Sequence, residues 1–201
     1  DLGGGLGVPY GDETPPSAQA YGAVVKKAVA GLDCRVFVEP GRVLVANAGV
    51  LLTRVVLVKN AGGTKFLIVD AAMNDLLRPS LYAAEHTIVL VREPAADAPL
   101  EVVDIVGPVC ESGDILRRSY PMPGALADDL LAVRTAGAYG AVMASTYNGR
   151  LLVPEVLVNG DQFAVVRPRP DYDAALAGEI LAPWHAKEAS RHTEEASRGV
   201  A

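Results

Sequence analysis

Around Thr53 the sequence changes texture, and that change limits the fold more than any other feature. Before it, loop, helix and strand signals alternate. "PPSAQAYGAVVKKAVAG" predicts a helix from Ser17, a capping serine, to near Gly31. "CRVFVEP" predicts a short strand ended by Pro40-Gly41, and an apolar helical stretch follows from Val43 to Leu52. This is βα alternation, the pattern of a parallel sheet or barrel. After Thr53 hairpin signals take over. "TRVVLVKNAGGTKFLIVDA" reads as two strands around an Ala-Gly-Gly turn, and "PEVLVNGDQFAVVRP" as two around Asn159-Gly160. "HTIVLVREP", "LEVVDIVGPVCESGD" and "LLAVRTAGAY" read as further strands, and "DYDAALAGEIL" as a short helix. The expected organisation is an α/β piece over residues 1–52, an antiparallel β domain (a Greek-key barrel or sandwich) over 53–183, and a polar tail over 184–201.

Two βα units can neither close a barrel nor bury both faces of a parallel sheet. The chain also opens at Asp1 rather than Met, inside the glycine-rich "DLGGGLGVPYG". Both features lead to the expectation of a C-terminal part of a longer protein, or a processed chain.

Composition removes several functions. Half of the 201 residues are hydrophobic, enough to bury a core. The net charge is −6, and the most basic cluster is Arg117-Arg118, which argues against nucleic acid. The apolar run from Val43 to Thr53 lies between Arg42 and Arg54 and has about half the length of a membrane-spanning helix. Two cysteines make no disulfide framework, so the cytoplasm is the default compartment. The histidines His86, His185 and His192 are scattered and no CxxC or HxxxH occurs, which argues against metal. No GxSxG elbow supports a serine hydrolase.

Five stretches carry chemistry. Gly3, Gly4 and Gly5 open a loop whose backbone amides form a nest for phosphate, although neither a Rossmann nor a P-loop pattern follows; the plainer reading is a flexible turn. "EPGR" puts Glu39, Gly41 and Arg42 at a strand end, where α/β barrels carry their sites; alone it could be a surface ion pair. "LLRPSLY" places the Arg78 cation near the Tyr82 phenol, a combination suited to a carboxylate or simply to a solvated surface. "GPVCESGD" sets Cys110 beside Glu111 in a polar loop. A thiol beside a carboxylate suits a proton donor better than a nucleophile, whereas Cys34 reads as core. "GAYGAVMASTYNGR" holds Tyr139 and Tyr147 among small residues that permit close backbone approach.

In this order, "DLGGGLGVPY", "VFVEPGR", "DAAMNDLLRPSLY", "GPVCESGD" and "GAYGAVMASTYNGR" resemble the C-terminal half of the diaminopimelate decarboxylases. These are pyridoxal 5'-phosphate (PLP) enzymes whose fold joins a TIM barrel to a C-terminal β domain. The resemblance covers residues 1 to about 183 and implies lysine formation from meso-diaminopimelate. It implies that Gly3, Gly4, Gly5 and the backbone of Gly41 and Arg42 hold the cofactor phosphate. Glu39 would face the pyridine nitrogen. Arg42, Arg78 and Tyr82 would bind substrate, Glu111 its far amino group, and Tyr139 both cofactor and substrate. Cys110 would be the proton donor, supplied to the site of a partner subunit in a homodimer. The small residues after Tyr139 would let a helix pack closely, and Tyr147 would be packing.

Ornithine decarboxylase-like relatives usually carry Cys-Asp where this chain has Cys110-Glu111, and lack the Arg-Pro-Ser-Leu-Tyr pattern at 78–82. A substrate with a second carboxylate needs an extra cation, which Arg78 supplies. The family attaches PLP to a lysine on an early barrel strand, and Lys26, Lys27, Lys59, Lys65 and Lys187 do not match it. The chain alone is therefore expected to be inactive. The competing readings are a non-catalytic homologue or split subunit pairing with a full-length enzyme, a related basic amino-acid decarboxylase, and a β interaction module.

Overall fold

The structure is a computed structural model and describes residues 1–185; the expected polar tail lies outside the described residues from 186 onward. Two compact units are present, Asp1–Arg150 and Leu151 onward.

In the first unit, helix α1 (Ala18–Ala28) begins where a cap is available: the Ser17 hydroxyl accepts from the Ala20 N–H at 3.1 Å. Lys26 and Lys27 stand in its last turn, where cations complement the helix dipole. "CRVFVEP" is extended but forms no regular strand. The Leu2 N–H donates to Phe37 O at 3.0 Å and the Glu39 N–H to Gly3 O at 2.7 Å. The two bonds use different residues of the partner segment, so no ladder repeats along Val36 to Val38. The expected helix over 43–52 is also shorter. Helix α2 (Gly41–Val45) gives way to one 3-10 turn over Ala46–Ala48, and the chain is extended by Gly49. Valines at 43 and 45 favour strand over helix, and Leu51 and Leu52 are taken by a sheet.

That sheet has six strands: β1 (Leu51–Ala61), β2 (Thr64–Val69), β3 (Ile88–Leu90), β4 (Leu100–Val106), β5 (Ile115–Pro123) and β6 (Leu130–Val133). A short helix, α3 (Arg78–Tyr82), lies between β2 and β3. The spatial order is β3-β6-β1-β2-β4-β5. β1 and β2 form the expected hairpin, with Ala61 opposite Thr64 across the Gly62-Gly63 turn. The sheet is mixed, however, not antiparallel: β2 and β4 run parallel, with Leu67 opposite Ile105. The reason is the long connection over 70–99, which carries α3 and β3 and returns the chain in the same direction.

β5 has no counterpart in the sequence reading. Pro121 and Pro123 and the Arg117-Arg118 pair obscure it, and proline is tolerated there because β5 is an edge strand. The sheet curls until its two edges approach each other. The Ile88 N–H of β3 donates to the Tyr120 hydroxyl of β5 at 3.2 Å, and Arg117 pairs with Glu85 at 2.9 Å. Inside the curl lies the apolar core, with Leu67, Ile88, Ile105, Leu116, Leu131 and Val133 fully buried.

The second unit holds a hairpin of β7 (Glu155–Asn159) and β8 (Gln162–Arg167). Asn159 pairs with Gln162, so the turn is Gly160-Asp161, one residue later than expected. Helix α4 (Tyr172–Leu176) follows, capped by the Asp171 carboxylate, which accepts from the Ala174 N–H at 2.6 Å. Among the described residues no helix is long and apolar enough to cross a membrane.

Candidate active site

The glycine loop and Glu39 form one piece. A Cβ on Gly4 would lie 2.5 Å from the Glu39 carbonyl oxygen, so only glycine permits this approach. The Glu39 N–H bonds back to Gly3 O. The Glu39 side chain is exposed and has no ion-pair partner among the described residues. The Gly41 N–H donates to Glu39 O at 2.8 Å, so that amide is engaged within the turn.

Arg42, on α2, is brought to Tyr139 by a second close approach. The Gly137 N–H donates to Ala46 O at 3.0 Å and the Ala136 N–H to Gly49 O at 2.9 Å. A Cβ on Gly137 would collide with the Val45 carbonyl oxygen. The small residues thus admit α2 before Tyr139, not after it. Tyr139 itself takes a left-handed backbone (φ +65°), which costs a non-glycine residue roughly 1–3 kcal/mol. Tyr139 is 40% exposed, and two guanidiniums lie near its ring: Arg42 at 5.7 Å and Arg78 at 5.9 Å from the centroid. Among the described residues neither arginine forms an ion pair, and the buried Arg42 Nε has no hydrogen-bond partner. Two uncompensated cations around one ring make a site for anionic groups.

Arg78 is the more firmly held. The Tyr10 ring lies 4.5 Å beneath its guanidinium, and Arg78 Nη1 donates to His86 Nε2 at 3.0 Å. Tyr10 and His86 meet edge to face at 5.1 Å. The Tyr10 carbonyl accepts from the Thr87 hydroxyl at 2.6 Å, which ties the end of the glycine-rich segment to the β sheet. Burial, and the Arg78 and Arg117 charges, lower the His86 pKa against a weaker opposing pull from the Arg134 carbonyl. Tyr10 closes the motif "DLGGGLGVPY" without an expected role, and His86 has no motif to mark it. The only signal is position: Tyr10 ends the glycine-rich segment, and His86 follows Arg78 by two turns' length of chain.

The cysteine loop is built around Asp114. Its buried carboxylate accepts from the Val109 N–H and the Met73 N–H, each at 2.7 Å, and the Gly107 N–H donates to its backbone carbonyl at 3.0 Å. The Ser80 hydroxyl donates to Gly113 O at 2.6 Å. This frame leaves Cys110 and Glu111 exposed at the tip. Among the described residues no hydrogen bond, ion pair or ring contact joins Cys110 or Glu111 to Arg42, Arg78 or Tyr139. Tyr82, at the end of α3, is also exposed, as is Tyr147. Cys34, expected in a core, is exposed, because the segment it opens has no sheet to cover it. Lys65 pairs with Glu101 on β4, away from these groups in the sheet.

These residues fit pyridoxal phosphate. One amide of the glycine loop already binds an anionic oxygen: the Asp1 carboxylate accepts from the Gly3 N–H at 2.7 Å. The Cβ positions of Gly3 and Gly5 have no neighbour within 4 Å, leaving room for a group at the backbone. The exposed Glu39 carboxylate beside them suits a protonated ring nitrogen.

Comparison with known proteins identifies the family. The diaminopimelate decarboxylase of Zymomonas mobilis is 50% identical over 186 residues, covering 92% of this chain and 44% of the relative. That of Pseudomonas aeruginosa is 52% identical over 184 residues, covering 91% and 43%. The crystal structure of diaminopimelate decarboxylase from Helicobacter pylori complexed with L-lysine superposes with a TM-score of 0.80 at 38% identity, over 87% of this chain and 43% of that one. The chain thus spans less than half the length of the relatives it matches. Residues 21–137 match the family model of the C-terminal sheet domain of pyridoxal-dependent decarboxylases. The chain belongs to the pyridoxal-dependent decarboxylase family, of which it carries the C-terminal sheet domain.

Proposed function

We propose that these residues are the C-terminal part of a diaminopimelate decarboxylase, converting meso-diaminopimelate to L-lysine and CO2. The observation that carries this reading is the pair of guanidiniums without an ion-pair partner, Arg42 and Arg78, at 5.7 Å and 5.9 Å from the Tyr139 ring centroid. Ornithine and arginine have one carboxylate, which is lost as CO2. Diaminopimelate keeps a second one, and a buried cation with no protein carboxylate beside it is what such a group needs. In this reading residues 1–52 belong to the cofactor-binding barrel and 53–183 to the C-terminal β domain.

The parts act as follows. Gly3, Gly4 and Gly5, with the turn at Gly41 and Arg42, hold the phosphate, and Glu39 keeps the ring nitrogen protonated. Pyridoxal phosphate, when bound, supplies the electron sink for the pair left by the departing carboxylate. Arg42, Arg78 and Tyr82 hold the retained carboxylate end, and Glu111 the amino group beside it. Tyr139 lines the space between. Cys110 Sγ gives its proton to the carbon that has lost CO2. Among the described residues Cys110 and Glu111 are exposed and make no hydrogen bond, ion pair or ring contact with Arg42, Arg78 or Tyr139, which is compatible with a homodimer in which they serve the partner's site.

The test is CO2 release by the full-length protein, loaded with pyridoxal phosphate, from meso-diaminopimelate, ornithine and arginine. Diaminopimelate should be turned over far faster than the other two. A preference for ornithine or arginine would overturn the reading.

A further inference from the structure

We infer that His86 is a positioning residue that fixes the Arg78 guanidinium for a substrate carboxylate without spending its charge. The inference rests on the proposed function, because Arg78 is there the cation that meets the substrate.

The hydrogen-bond roles leave one protonation pattern. His86 Nδ1 lies 3.0 Å from the Arg134 carbonyl oxygen, which can only accept, so Nδ1 carries the proton. Arg78 can only donate, so His86 Nε2, 3.0 Å from Nη1, offers its lone pair. The ring is therefore neutral, with Nδ1–H. It is 1% exposed, and Arg78 8% exposed, so both are held by packing as well as by the bond. Tyr10 covers the guanidinium face and His86 holds its edge.

Orientation and charge are thereby separated. An aspartate or glutamate at His86's place would orient Arg78 equally well but would cancel its charge. A neutral acceptor orients it and leaves the charge for a ligand. Among the described residues His86 is the only side chain hydrogen-bonded to Arg78, and no carboxylate pairs with it. The groups facing His86 are Arg78 from α3, Tyr10 from the glycine-rich segment, Arg117 from β5, and the Arg134 carbonyl after β6; Arg117 is balanced by Glu85. Protonation of His86 would put an N–H against an N–H and a third cation beside Arg78 and Arg117, so acid should release the arginine from its position.

Glutamine and asparagine dissect the contact in the full-length enzyme. His86→Gln places an acceptor near the Nε2 position; His86→Asn reaches only the Nδ1 position and loses the bond to Arg78. The expected result for His86→Asn is a KM for meso-diaminopimelate raised about tenfold or more, the cost of ~1.4 kcal/mol of lost ground-state binding. Its kcat should stay within about threefold. Inhibition by L-lysine, whose single carboxylate is the one that Arg78 meets, should weaken along with KM, whereas affinity for pyridoxal phosphate should change by less. His86→Gln should recover most of the KM. Wild-type KM in both variants would overturn the inference, as would a parallel loss of kcat, substrate affinity and pyridoxal phosphate affinity in both, which marks a structural role. Should His86→Asn fail to fold, the pH dependence decides between wild type and His86→Gln. The wild-type KM should climb only below the ordinary imidazole range, because burial lowers the folded His86 pKa, and that climb should be absent in His86→Gln. An equal climb in both overturns the inference. If the wild-type enzyme itself does not turn over diaminopimelate, the functional reading falls and this inference with it; a working wild type with an indifferent His86→Asn removes this inference alone.

Discussion

Asp114 fastens the loop that carries Cys110 to Met73: the Met73 N–H donates to Asp114 Oδ1 at 2.7 Å, from the segment that leads into α3 and Arg78. The other carboxylate oxygen accepts from the Val109 N–H, one residue before the cysteine. A buried carboxylate that accepts two backbone donors cannot be matched by an amide, which offers one oxygen and one NH2. Asp114→Asn should leave one of the two amides facing a donor. The expected loss is about 2 kcal/mol, from the range for hydrogen bonds to charged groups, read as a lower urea midpoint at unchanged slope. Amide exchange at Val109 should accelerate. An unchanged midpoint would mean that the loop is held elsewhere.

Gly137 and Gly22 predict opposite outcomes for the same substitution. A Cβ on Gly137 strikes the Val45 carbonyl, so Gly137→Ala must push α2, and with it Arg42, away from Tyr139. Substrate affinity and stability should both fall. Gly22 lies within α1 with nothing near its Cβ position, so Gly22→Ala should raise stability by roughly 0.5–1 kcal/mol. Thermal melting of the two variants checks the pair.

Cys110→Ala removes the proposed proton donor and nothing that holds the cofactor. In the full-length enzyme turnover should fall about 10²–10⁴-fold, while cofactor affinity, read from its absorbance, should stay near wild type. Equal turnover would assign the proton transfer to another group.

The pH dependence of stability has a defined sign at His86. Its folded pKa is below the ordinary value, chiefly because burial disfavours the charged ring. At pH values below about 6.5 the unfolded chain therefore binds a proton that the folded chain resists. Stability should fall as pH drops through that value and level off only below the folded pKa. His86→Gln should lack this part of the acid loss. Urea midpoints between pH 7 and pH 5 for both proteins test it.

Local signals in the sequence are expressed where the structure is local. The Ala61-Gly62-Gly63 turn makes the β1–β2 hairpin, and Ser17 caps α1, both as their residues dictate. Pairing between distant segments is not written in any one segment. Nothing in "TKFLIV" or "LEVVDIV" tells that they run parallel, since that depends on the thirty intervening residues 70–99 and where they return. β5 escapes notice because its prolines, harmless on an edge, look like strand breakers. "CRVFVEP" has strand composition but no neighbour that repeats the ladder. The site follows the same division. Arg42, Arg78 and Tyr139 stand in recognisable motifs and do converge, whereas the contacts of Tyr10 and His86 with Arg78 depend on tertiary packing that no single segment encodes.

The central claim is that the charge on Arg78 reads the carboxylate that diaminopimelate keeps. The most direct measurement is the ratio of kcat/KM for meso-diaminopimelate to that for ornithine, whose one carboxylate is the one lost, in wild type and Arg78→Ala full-length enzyme. Loss of a buried charge-assisted contact should reduce that ratio by about tenfold or more, with the one-carboxylate rate nearly unaffected. An equal fall for both substrates would contradict the account and make Arg78 a structural residue.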